Sequence, residues 1–395
     1  MKRWPTKPLE EIAELYGGST PSRDSPAFWG GDIYWVTPTD LPMPDEGISV
    51  VTKTKDHITQ AGLDNSSATV VPKGTVLFSS RATIGKVAVA DMPLTTNQGF
   101  ANFVPHSEVT SRFLAYALWF YREDIARLSG STTFKEVSRS TLRKYHLPVP
   151  PLTEQERIVK LLDEADELRK LRAQADRRTT ALIPSLFHEM FGENTKKPSA
   201  RVRLEQIAEV VSGVAKGRKF NGRLPVEVPY LRVANVQAGH LDLSEIKTIE
   251  ALPEEVEELA LRRGDVLLTE GGDFDKLGRG AMLEQDLPNC IHQNHVFRVR
   301  VEQSKLNPIY FAKFLLTGEA RGYFLGCAKR TTNLASINMT QLRALPVLPP
   351  PLPLQKEFAA RVSEIRAMQA EQAASRCRLE HLFQSLLHRA FQGEL

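Results

Sequence analysis

The chain repeats a pattern of residues after about 200 positions. Residues 9–14 (LEEIAE) return as residues 204–209 (LEQIAE), and matched Leu-Arg, Pro-Pro-Leu and Gln positions of 142–155 recur in 342–355. Solenoid units repeat every 20 to 50 residues or so, and this period is too long for them. The repeat therefore predicts two similar units, each a domain followed by a helix. Two such units in one chain can place similar surfaces around a pseudo-two-fold axis.

The composition is that of an ordinary globular protein. The 395 residues are 42% hydrophobic and 25% charged, and this length accommodates about two to four domains. The net charge is only +4, so any surface for nucleic acid must be a local patch. Cys290, Cys327 and Cys377 lack metal-ligand spacing. We expect reduced thiols rather than a disulfide framework or a zinc site.

The sequence carries no secretory or membrane signal. The N-terminal residues lack an apolar signal core. The longest apolar run, residues 113–121, is far shorter than the roughly 20 residues that cross a bilayer. We therefore expect a cytoplasmic protein.

Each unit alternates β-branched and aromatic runs with helical patterns, which predicts an α+β protein with two mixed α/β domains. The predicted strands are residues 32–37, 70–79, 86–90, 228–233, 265–269 and 295–301, and the predicted domain helices are 111–128 and 307–323. The predicted boundaries are a first domain 1–150, a central helix 151–192, a linker 193–200, a second domain 201–348 and a C-terminal helix 349–395.

The two long helices carry apolar stripes that must be covered. Thr153 and Glu156 form a predicted capping box for the central helix, and Pro353 replaces the threonine in the second copy. Pro184 is expected to kink or break the central helix. Antiparallel, coiled-coil-like pairing of the two helices would bury both stripes and make a spacer roughly 50 Å long. The alternative is that each helix packs on its own domain.

No motif for catalysis is present. The nearest approach to an adenine-methyltransferase tetrad is residues 307–310 (NPIY), which instead predict a helix start with proline near its first position. No phosphate-binding glycine loop occurs. Residues 273–276 (DFDK) resemble a nuclease carboxylate cluster but have no counterpart in the first unit. We expect no catalytic residue, no metal and no cofactor.

Polar and basic loops occur at matching places in both units. Arg, Asn and Gln read base edges in the major groove, whereas Ser, Thr, Lys and glycine N–H groups bind phosphates. Duplex DNA, which is itself roughly two-fold, suits a protein with two such surfaces. The predicted DNA-binding residues are Ser80, Arg81, Lys86, Thr96, Asn97, Gln98, Thr132 and Lys135 in the first unit, and Lys216, Arg218, Lys219, Gly272, Asp273, Lys276, Arg279, Gln293, Asn294, Arg330 and Thr332 in the second.

The whole chain resembles the specificity subunits of type I restriction–modification systems. The resemblance rests on residues 9–13 with 17–22, on residues 80–86 with 96–99, on residues 269–280, and on the proline-rich entries into the helices at Gln155 and Gln355. It departs from the family pattern at the missing threonine cap and at the polar residues Arg172, Gln372 and Arg376 in the helix seams.

The resemblance implies two target-recognition domains, each reading one half of a bipartite double-stranded DNA sequence, in a subunit that performs no chemistry. It also implies that the helices dock two modification subunits, which methylate adenine, and that an ATP-dependent restriction subunit joins them. The predicted docking residues are Gln155, Leu168, Leu182, Gln355, Ile365 and Leu382.

Two other functions remain open at this point. A self-contained methyltransferase or nuclease would need motifs that the sequence lacks, and methyl transfer by the chain alone would support it. A coiled-coil scaffold without a nucleic-acid role would bind no duplex at any salt concentration. A DNA-binding chain would instead bind at low salt and lose affinity as salt rises, because phosphate-driven binding weakens with salt. The target sequence and the length of its gap cannot be read from these residues, since loop conformation and DNA shape decide the contacts.

Overall fold

A computed structural model describes residues 4–130, 135–192, 201–272, 277–330 and 335–395. The chain divides into two compact units. Unit 1 comprises Met1–Gln174 and Ala373–Leu395, and unit 2 comprises Ala175–Gln372. Both long helices cross from one unit to the other, so each unit contains a domain and parts of both helices.

Unit 1 is built from short strands followed by helices. Its strands are β1 (Thr6–Pro8), β2 (Ala13–Gly17), β3 (Trp29–Val36), β4 (Ile48–Val51), β5 (Asp56–Ile58), β6 (Val76–Ser79), β7 (Val87–Ala90), β8 (Thr95–Thr96), β9 (Phe100–Pro105) and β10 (His146–Pro148). Its helices are α1 (Leu9–Ile12), α2 (Gln60–Asp64), α3 (Ser111–Phe120), α4 (Arg122–Arg127), α5 (Arg139–Arg143) and most of α6 (Leu152–Thr180).

The strands of unit 1 form two main sheets. A five-stranded sheet has the order β2-β9-β6-β7-β4, and a three-stranded sheet has the order β5-β3-β8. β8 runs parallel to β3, and β1 pairs with β10, so the start of the domain meets its end. Helix α3 packs across the larger sheet, where Phe113, Leu114 and Ala117 are fully buried. The sheets position the loops that follow β2, β6 and β8.

Both long helices contribute to the core of unit 1. Ile158, Leu162 and Ala165 from the start of α6 are buried with Phe383 and Leu387 from the end of the C-terminal helix. On the surface of this helix pair, Arg169 donates to the Glu380 carboxylate at 2.8 Å and lies 4.4 Å above the ring of Phe383.

Unit 2 contains the remaining elements. Its strands are β11 (Val202–Arg203), β12 (Ala208–Ser212), β13 (Val226–Leu231), β14 (Lys247–Ala251), β15 (Val266–Thr269), β16 (Gly271–Gly272), β17 (Gly280–Met282), β18 (Ile291–His292), β19 (Val296–Val301), β20 (Lys329–Arg330), β21 (Ala335–Ser336) and β22 (Pro346–Val347). Its helices are α7 (Leu182–Phe191), α8 (Pro253–Leu259), α9 (Pro308–Phe314), α10 (Gly318–Cys327), α11 (Met339–Arg343) and the first half of α12 (Leu352–Gln392).

The two main sheets of unit 2 repeat the strand orders of unit 1 except that β4 has no counterpart, and unit 2 has a further sheet of order β16-β21-β20. The order β12-β19-β15-β17 matches β2-β9-β6-β7, and the order β14-β13-β18 matches β5-β3-β8, with the last pair parallel in each case. β11 pairs with β22 as β1 pairs with β10. The predicted mixed α/β architecture with long helices is confirmed.

The helices within unit 2 run in opposite directions. Thr179 donates its hydroxyl to the Gln372 side chain at 2.9 Å, whereas the rings of Phe187 and Phe191 lie 5.6 and 5.3 Å from that of Phe358. Residue numbers therefore increase along the α6–α7 segment in the direction in which they decrease along α12, so the two are antiparallel. The buried side chains of both helices also belong to the domain core. Each long-helix segment of unit 2 therefore packs both on the domain and on the other helix, so the two predicted alternatives occur together.

The entry to each long helix differs from the predicted capping box. The helix begins at Leu152, because the N–H groups of Glu154 and Gln155 donate to the carbonyl of Pro151 at 2.9 and 3.0 Å. Thr153 therefore lies inside the helix and does not cap it. Pro351 plays the same role for α12. Loss of the threonine from the second copy consequently changes no capping bond.

Four predicted elements are interrupted. The helix predicted over 111–128 divides at Tyr121 into α3 and α4. The strand predicted over 70–79 begins only at Val76, because a turn with Gly74 at φ +89° precedes it. The central helix breaks between Thr180 and Leu182, since Pro184 has no N–H group for the Thr180 carbonyl. The helix predicted over 307–323 splits where Thr317 caps α10. Asn307 caps α9 with proline at the first position, as predicted.

Candidate nucleic-acid interface

Four loops of unit 1 meet at one place, which we call the first loop cluster. It consists of residues 17–20 from the end of β2, 80–82 after β6, 97–98 after β8, and 136–140, which lead into the first turn of α5. The loops line an open cleft of about 300 Å³. The prediction placed Ser80, Arg81 and Gln98 in a common site, and these three residues do line the same cleft.

Backbone bonds hold these loops together. The N–H of Ser19 donates to Thr96 O at 2.9 Å, that of Ser80 to Gly99 O at 2.8 Å, and that of Val137 to Ser80 O at 3.0 Å. Gly18 is required here, because a Cβ atom on it would lie 1.9 Å from the carbonyl oxygen of Asn97. These backbone bonds therefore fix the base of the cleft, and the exposed side chains project from it.

Two arginines give the first loop cluster its positive charge. Arg81 pairs with Glu136 at 2.7 Å, and both side chains are nearly half exposed. Arg139 is exposed and makes no ion pair with any residue that the structure describes. Its guanidinium covers Gly17, where a Cβ atom would lie 2.2 Å from Arg139 Nη1. Arg139 is thus the cation of this cleft that is available to an anionic ligand, and the sequence analysis missed it.

A pair of tryptophans fixes the loop that follows Gly18. Trp35 Nε1 donates to Ser19 O and Trp29 Nε1 to Ser22 O, each at 3.0 Å. Arg23 stacks 3.8 Å above the ring of Trp29. Thr20, in the same loop, donates its hydroxyl to the Gln98 side chain. The signal in the sequence was the Gly-Gly pair followed by two tryptophans, and its meaning depends on the pairing of β3 with β8.

Two predicted DNA-binding residues of unit 1 are corrected. Lys86 is only 7% exposed, and its ammonium donates to the carbonyls of Pro38 at 2.7 Å and Leu41 at 3.0 Å. Thr96 is fully buried and accepts from Asn102 Nδ2 at 2.8 Å. Both side chains stabilise the domain and are not available to DNA. Ser80 is also buried, at 4% exposure, and contributes through its backbone.

The remaining residues of the first set lie around the cleft. Asn97 is half-buried, and its Oδ1 accepts from the N–H of Gly99 at 2.9 Å, which shapes the turn before β9. Lys135 is exposed, and its carbonyl accepts from the N–H of Ala82 at 3.1 Å. Ala82 adopts φ +54°, a strained conformation that sits at the edge of the cleft. Thr132 lies outside the described residues.

Unit 2 repeats the same backbone frame with other side chains. The N–H of Val214 donates to His292 O at 3.0 Å, that of Glu270 to His295 O at 3.0 Å, and that of Ile337 to Glu270 O at 2.8 Å. These bonds correspond one by one to those of Ser19, Ser80 and Val137. We call the loops that they join, residues 213–214, 270–272, 292–295 and 335–337, the second loop cluster.

The exposed groups of the second loop cluster differ in charge from those of the first. Glu270 occupies the place of Ser80, and its carboxylate lies 2.5 Å from His295 Nδ1. His295 in turn occupies the place of Gly99. Met339 takes the place of Arg139 at the start of the helix that follows. A hydrogen-bond acceptor thus stands where unit 1 has only a small polar residue.

Three residues predicted for the second set take part in local bonds. Arg279 is half-buried and donates to the Gln237 side chain at 2.8 Å. Gln293 donates its N–H to Leu231 O at 2.9 Å, and Asn294 donates its N–H to Val214 O at 2.9 Å. Their side chains are half-buried, so part of each faces solvent. Gly272 pairs with Ala335 between β16 and β21.

The basic segment after Val214 is only partly free. Arg218 pairs with the Glu255 carboxylate through both terminal nitrogens, and this ion pair lowers the pKa of Glu255. Lys216 and Lys219 on either side are exposed. Asp273, Lys276 and Thr332 lie outside the described residues, as does the side chain of Arg330.

Burial makes His292 a structural residue. Its ring is fully buried, and burial lowers its pKa to about 4. Nδ1 lies 2.7 Å from Val296 O, so the neutral ring donates there. Thr96, its counterpart in unit 1, is equally buried. The residue at this position supports the loop from below in both units.

The predicted docking residues fall into two groups. Leu168, Leu182 and Leu382 are 51%, 40% and 48% exposed on the long helices, and Ile365 packs at the edge of the unit 2 core. Gln155 and Gln355 are fully buried, so these two side chains are not available to a partner, contrary to the prediction.

The buried glutamines instead join each helix to its domain. Gln155 Nε2 donates to the carbonyls of Glu108 at 2.8 Å and Pro150 at 2.9 Å, and its Oε1 accepts from the N–H of Thr110 at 2.9 Å. Gln355 makes the corresponding bonds in unit 2, including one of 2.7 Å from the N–H of Asn307.

Comparison with known proteins finds similarity to specificity subunits of type I restriction enzymes. Residues 1–176 match the family described as the type I restriction modification DNA specificity domain. The MjaIX type I restriction enzyme specificity subunit of Methanocaldococcus jannaschii is 37% identical over 195 residues, which cover 48% of this chain and 44% of that protein. The EcoKI specificity subunit of Escherichia coli K12 is 26% identical over 80% of this chain and 73% of its own length.

A solved structure described as the structural basis underlying complex assembly and conformational transition of the type I R-M system has the same fold over 100% of this chain and 99% of that chain, with a TM-score of 0.66 and 18% identity. The resemblance of the chain to type I specificity subunits is confirmed. The alignment spans less than half of the M. jannaschii relative. Within the described ranges, no helix is long and apolar enough to cross a membrane.

Proposed function

We propose that this chain is the DNA-recognition subunit of a type I restriction–modification complex, and that each unit reads one half of a bipartite target. The observation that carries the proposal is the pair of loop clusters. The same three backbone bonds build both clusters, and the exposed side chains upon them differ. Such a pattern suits two reading surfaces with a common scaffold and different specificities.

The chemistry of the two clusters supports an asymmetric target. In unit 1, Arg139, Arg81 and Gln98 present hydrogen-bond donors, and arginine and glutamine side chains bind the edges of guanine and adenine. In unit 2, the carboxylate of Glu270 presents an acceptor, which suits the amino group of cytosine. Lys216 and Lys219 suit phosphates, which position a protein on the duplex without reading its sequence.

The long helices are proposed to act as an antiparallel, coiled-coil-like spacer that relates the two units by a pseudo-two-fold axis. The opposed direction of the α6–α7 segment and α12 within unit 2 supports this arrangement. Exposed Leu168, Leu182 and Leu382, with Ile365, would dock two modification subunits that methylate adenine, and a restriction subunit would join them. The chain itself would perform no catalysis, need no cofactor and act in the cytoplasm.

The proposal is tested by exchanging the first domain. Residues 1–150 are replaced with those of a related specificity subunit that has a different target, and methylated adenines are mapped across the genome of a host that carries the modification subunit. We expect one half of the methylated sequence to change and the other to stay. A change in both halves, or in neither, would contradict independent reading by the two units. The unaltered chain is the control for complex assembly.

A further inference from the structure

Unit 2 contains a large cavity that the loop cluster does not use. Its volume is about 980 Å³, and it lies between α7, the end of α9 and the start of α10. Ile183, Phe187 and Leu316 form its apolar wall, and Lys313, His188, His240 and Glu319 contribute polar groups. Glu319 pairs with Arg201 at 2.9 Å, so its charge is compensated within the unit. The volume is at the upper end of the range for small-molecule sites, about 300 to 1,000 Å³, and also accommodates large side chains from a protein.

The equivalent place in unit 1 can be identified from the glutamine bonds. Thr110 N–H donates to Gln155 and Asn307 N–H donates to Gln355, so Thr110 and Asn307 hold the same position in their units. Counting onward from these two residues, past the end of α9 at Phe314, and along the repeat at 182–191 and 382–391, gives three pairs that are equivalent in sequence: Trp119 with Leu316, Phe120 with Thr317, and Phe383 with Ile183.

Aromatic side chains fill this place in unit 1. Trp119 is 1% exposed, its ring lies 5.6 Å from that of Phe383, and its Nε1 donates to Pro44 O at 2.5 Å. Phe120 stacks on Phe391 at 5.0 Å. Each of the three aromatic residues is replaced in unit 2 by one that is smaller or aliphatic. The cavity is therefore lined by the sequence equivalents of an indole and two phenyl rings that pack together in the other unit.

The polar groups around this place also differ between the units. In unit 1, the hydroxyl of Tyr116 donates to the carboxylate of Asp163 at 2.7 Å. In unit 2, Lys313 stands in the place of Tyr116 and faces Arg366. Burial, and then the charge of Arg366, lower the pKa of Lys313. Arg366 pairs with Glu284 at 2.6 Å, whereas Lys313 forms no ion pair with the residues described in this unit.

We propose that the cavity receives an aromatic side chain, with a neighbouring carboxylate, from one of the two modification subunits that the chain is proposed to bind. Unit 1 shows which group fits, because its own indole fills the equivalent place. The free ammonium of Lys313 at the wall selects a carboxylate beside the ring. This inference rests on the proposed function. It also makes the two docking sites unequal, since the aromatic residues of unit 1 close the first one.

The test fills the cavity from within the chain. Leu316→Trp restores the residue of unit 1, and Leu224→Trp, at an 87% exposed position of unit 2, is the matched control. Each full-length variant is titrated with the modification subunit of its own system, and native mass spectrometry counts the subunits bound. We expect Leu316→Trp to weaken one of two binding events at least about tenfold, because aromatic anchors in pockets dominate interface energies, and Leu224→Trp to weaken neither.

A second variant keeps the test independent of how well a tryptophan is accommodated. Lys313→Glu should weaken the same binding event by a similar factor and leave the other unchanged. Two undiminished binding events for both variants would overturn the inference while the proposed function stands. A wild-type chain that binds no modification subunit would overturn the proposed function itself.

Discussion

Gln155 offers a sharp distinction between a docking role and a structural role. The sequence placed it on a partner-binding surface, whereas the structure buries it fully at the junction of α6 and the first domain. Its amide donates to Glu108 O and Pro150 O and accepts from the N–H of Thr110. Gln155→Ala removes all three bonds and leaves two carbonyls and one N–H group without their partner.

The size of the effect follows from these bonds. A buried hydrogen bond contributes about 1 kcal/mol net, and a partner left unsatisfied costs about 1 to 3 kcal/mol. Loss of three such bonds should lower the free energy of local opening at this junction by about 3 kcal/mol. Because every 1.4 kcal/mol is a factor of ten, exchange of the Thr110 amide hydrogen should accelerate about a hundredfold where local opening governs it.

The assay is hydrogen exchange of the isolated full-length chain, followed in peptides that contain residues 108–113 and 150–158. Gln174→Ala, at an exposed position of the same helix, is the control and should leave exchange unchanged. Gln355→Ala should produce the same acceleration around Asn307 in unit 2. Unaltered exchange in Gln155→Ala, together with lost binding of the modification subunit, would refute the structural role.

Three further predictions concern recognition, pH and spacing. Arg139→Ala should weaken binding of target DNA by the assembled complex, and a contact to phosphate would lower the slope of log K against log salt by about 1. Arg127→Ala, on the exposed side of α4, is the control. An unchanged affinity of Arg139→Ala would exclude Arg139 from the interface. His292 binds a proton near pH 6.5 when unfolded but only near 4 when folded, so stability should fall by about 2 kcal/mol between pH 6.5 and 5. Urea unfolding of His292→Thr should lack that part of the pH dependence, and an identical dependence would contradict the burial argument. Inserting four residues, about 6 Å of helix, into both α6 and α12 should change the gap in the methylated sequence by one or two base pairs, and an unchanged gap would exclude the helices as the spacer.

Much of the fold could be predicted because the repeated residues have repeated structural tasks. Pro151 and Pro351 accept the first helical bonds, and Gln155 and Gln355 join the helices to the domains. Such positions tolerate few side chains, so they match between the two copies. The docking role predicted for the glutamines was wrong, because the sequence around a polar residue at a helix start does not show whether its side chain faces solvent or a buried carbonyl.

The candidate site was harder to predict than the fold. Lys86 and Thr96 belong to the same polar segments as Arg81 and Gln98, and local sequence does not distinguish them. The structure does, because the turn after β3 brings the carbonyls of Pro38 and Leu41 to Lys86. Arg139 escaped notice for the opposite reason. It lies far from the glycine-rich loops in sequence and reaches them only when α5 packs beside β2.

The division of labour within the loop clusters explains how such a surface can vary without loss of the fold. The bonds that join the loops are made by backbone groups, so they do not depend on which side chain stands at position 80 or 270. Serine and glutamate occupy that equivalent position, and arginine and methionine occupy the position at the start of the following helix. By contrast, the residues beneath the loops, Thr96 and His292, are fully buried and constrained by packing. Variation among the side chains carried by these loops therefore costs little stability, and under the proposed function recognition of each half-site would change separately as long as the buried support is kept.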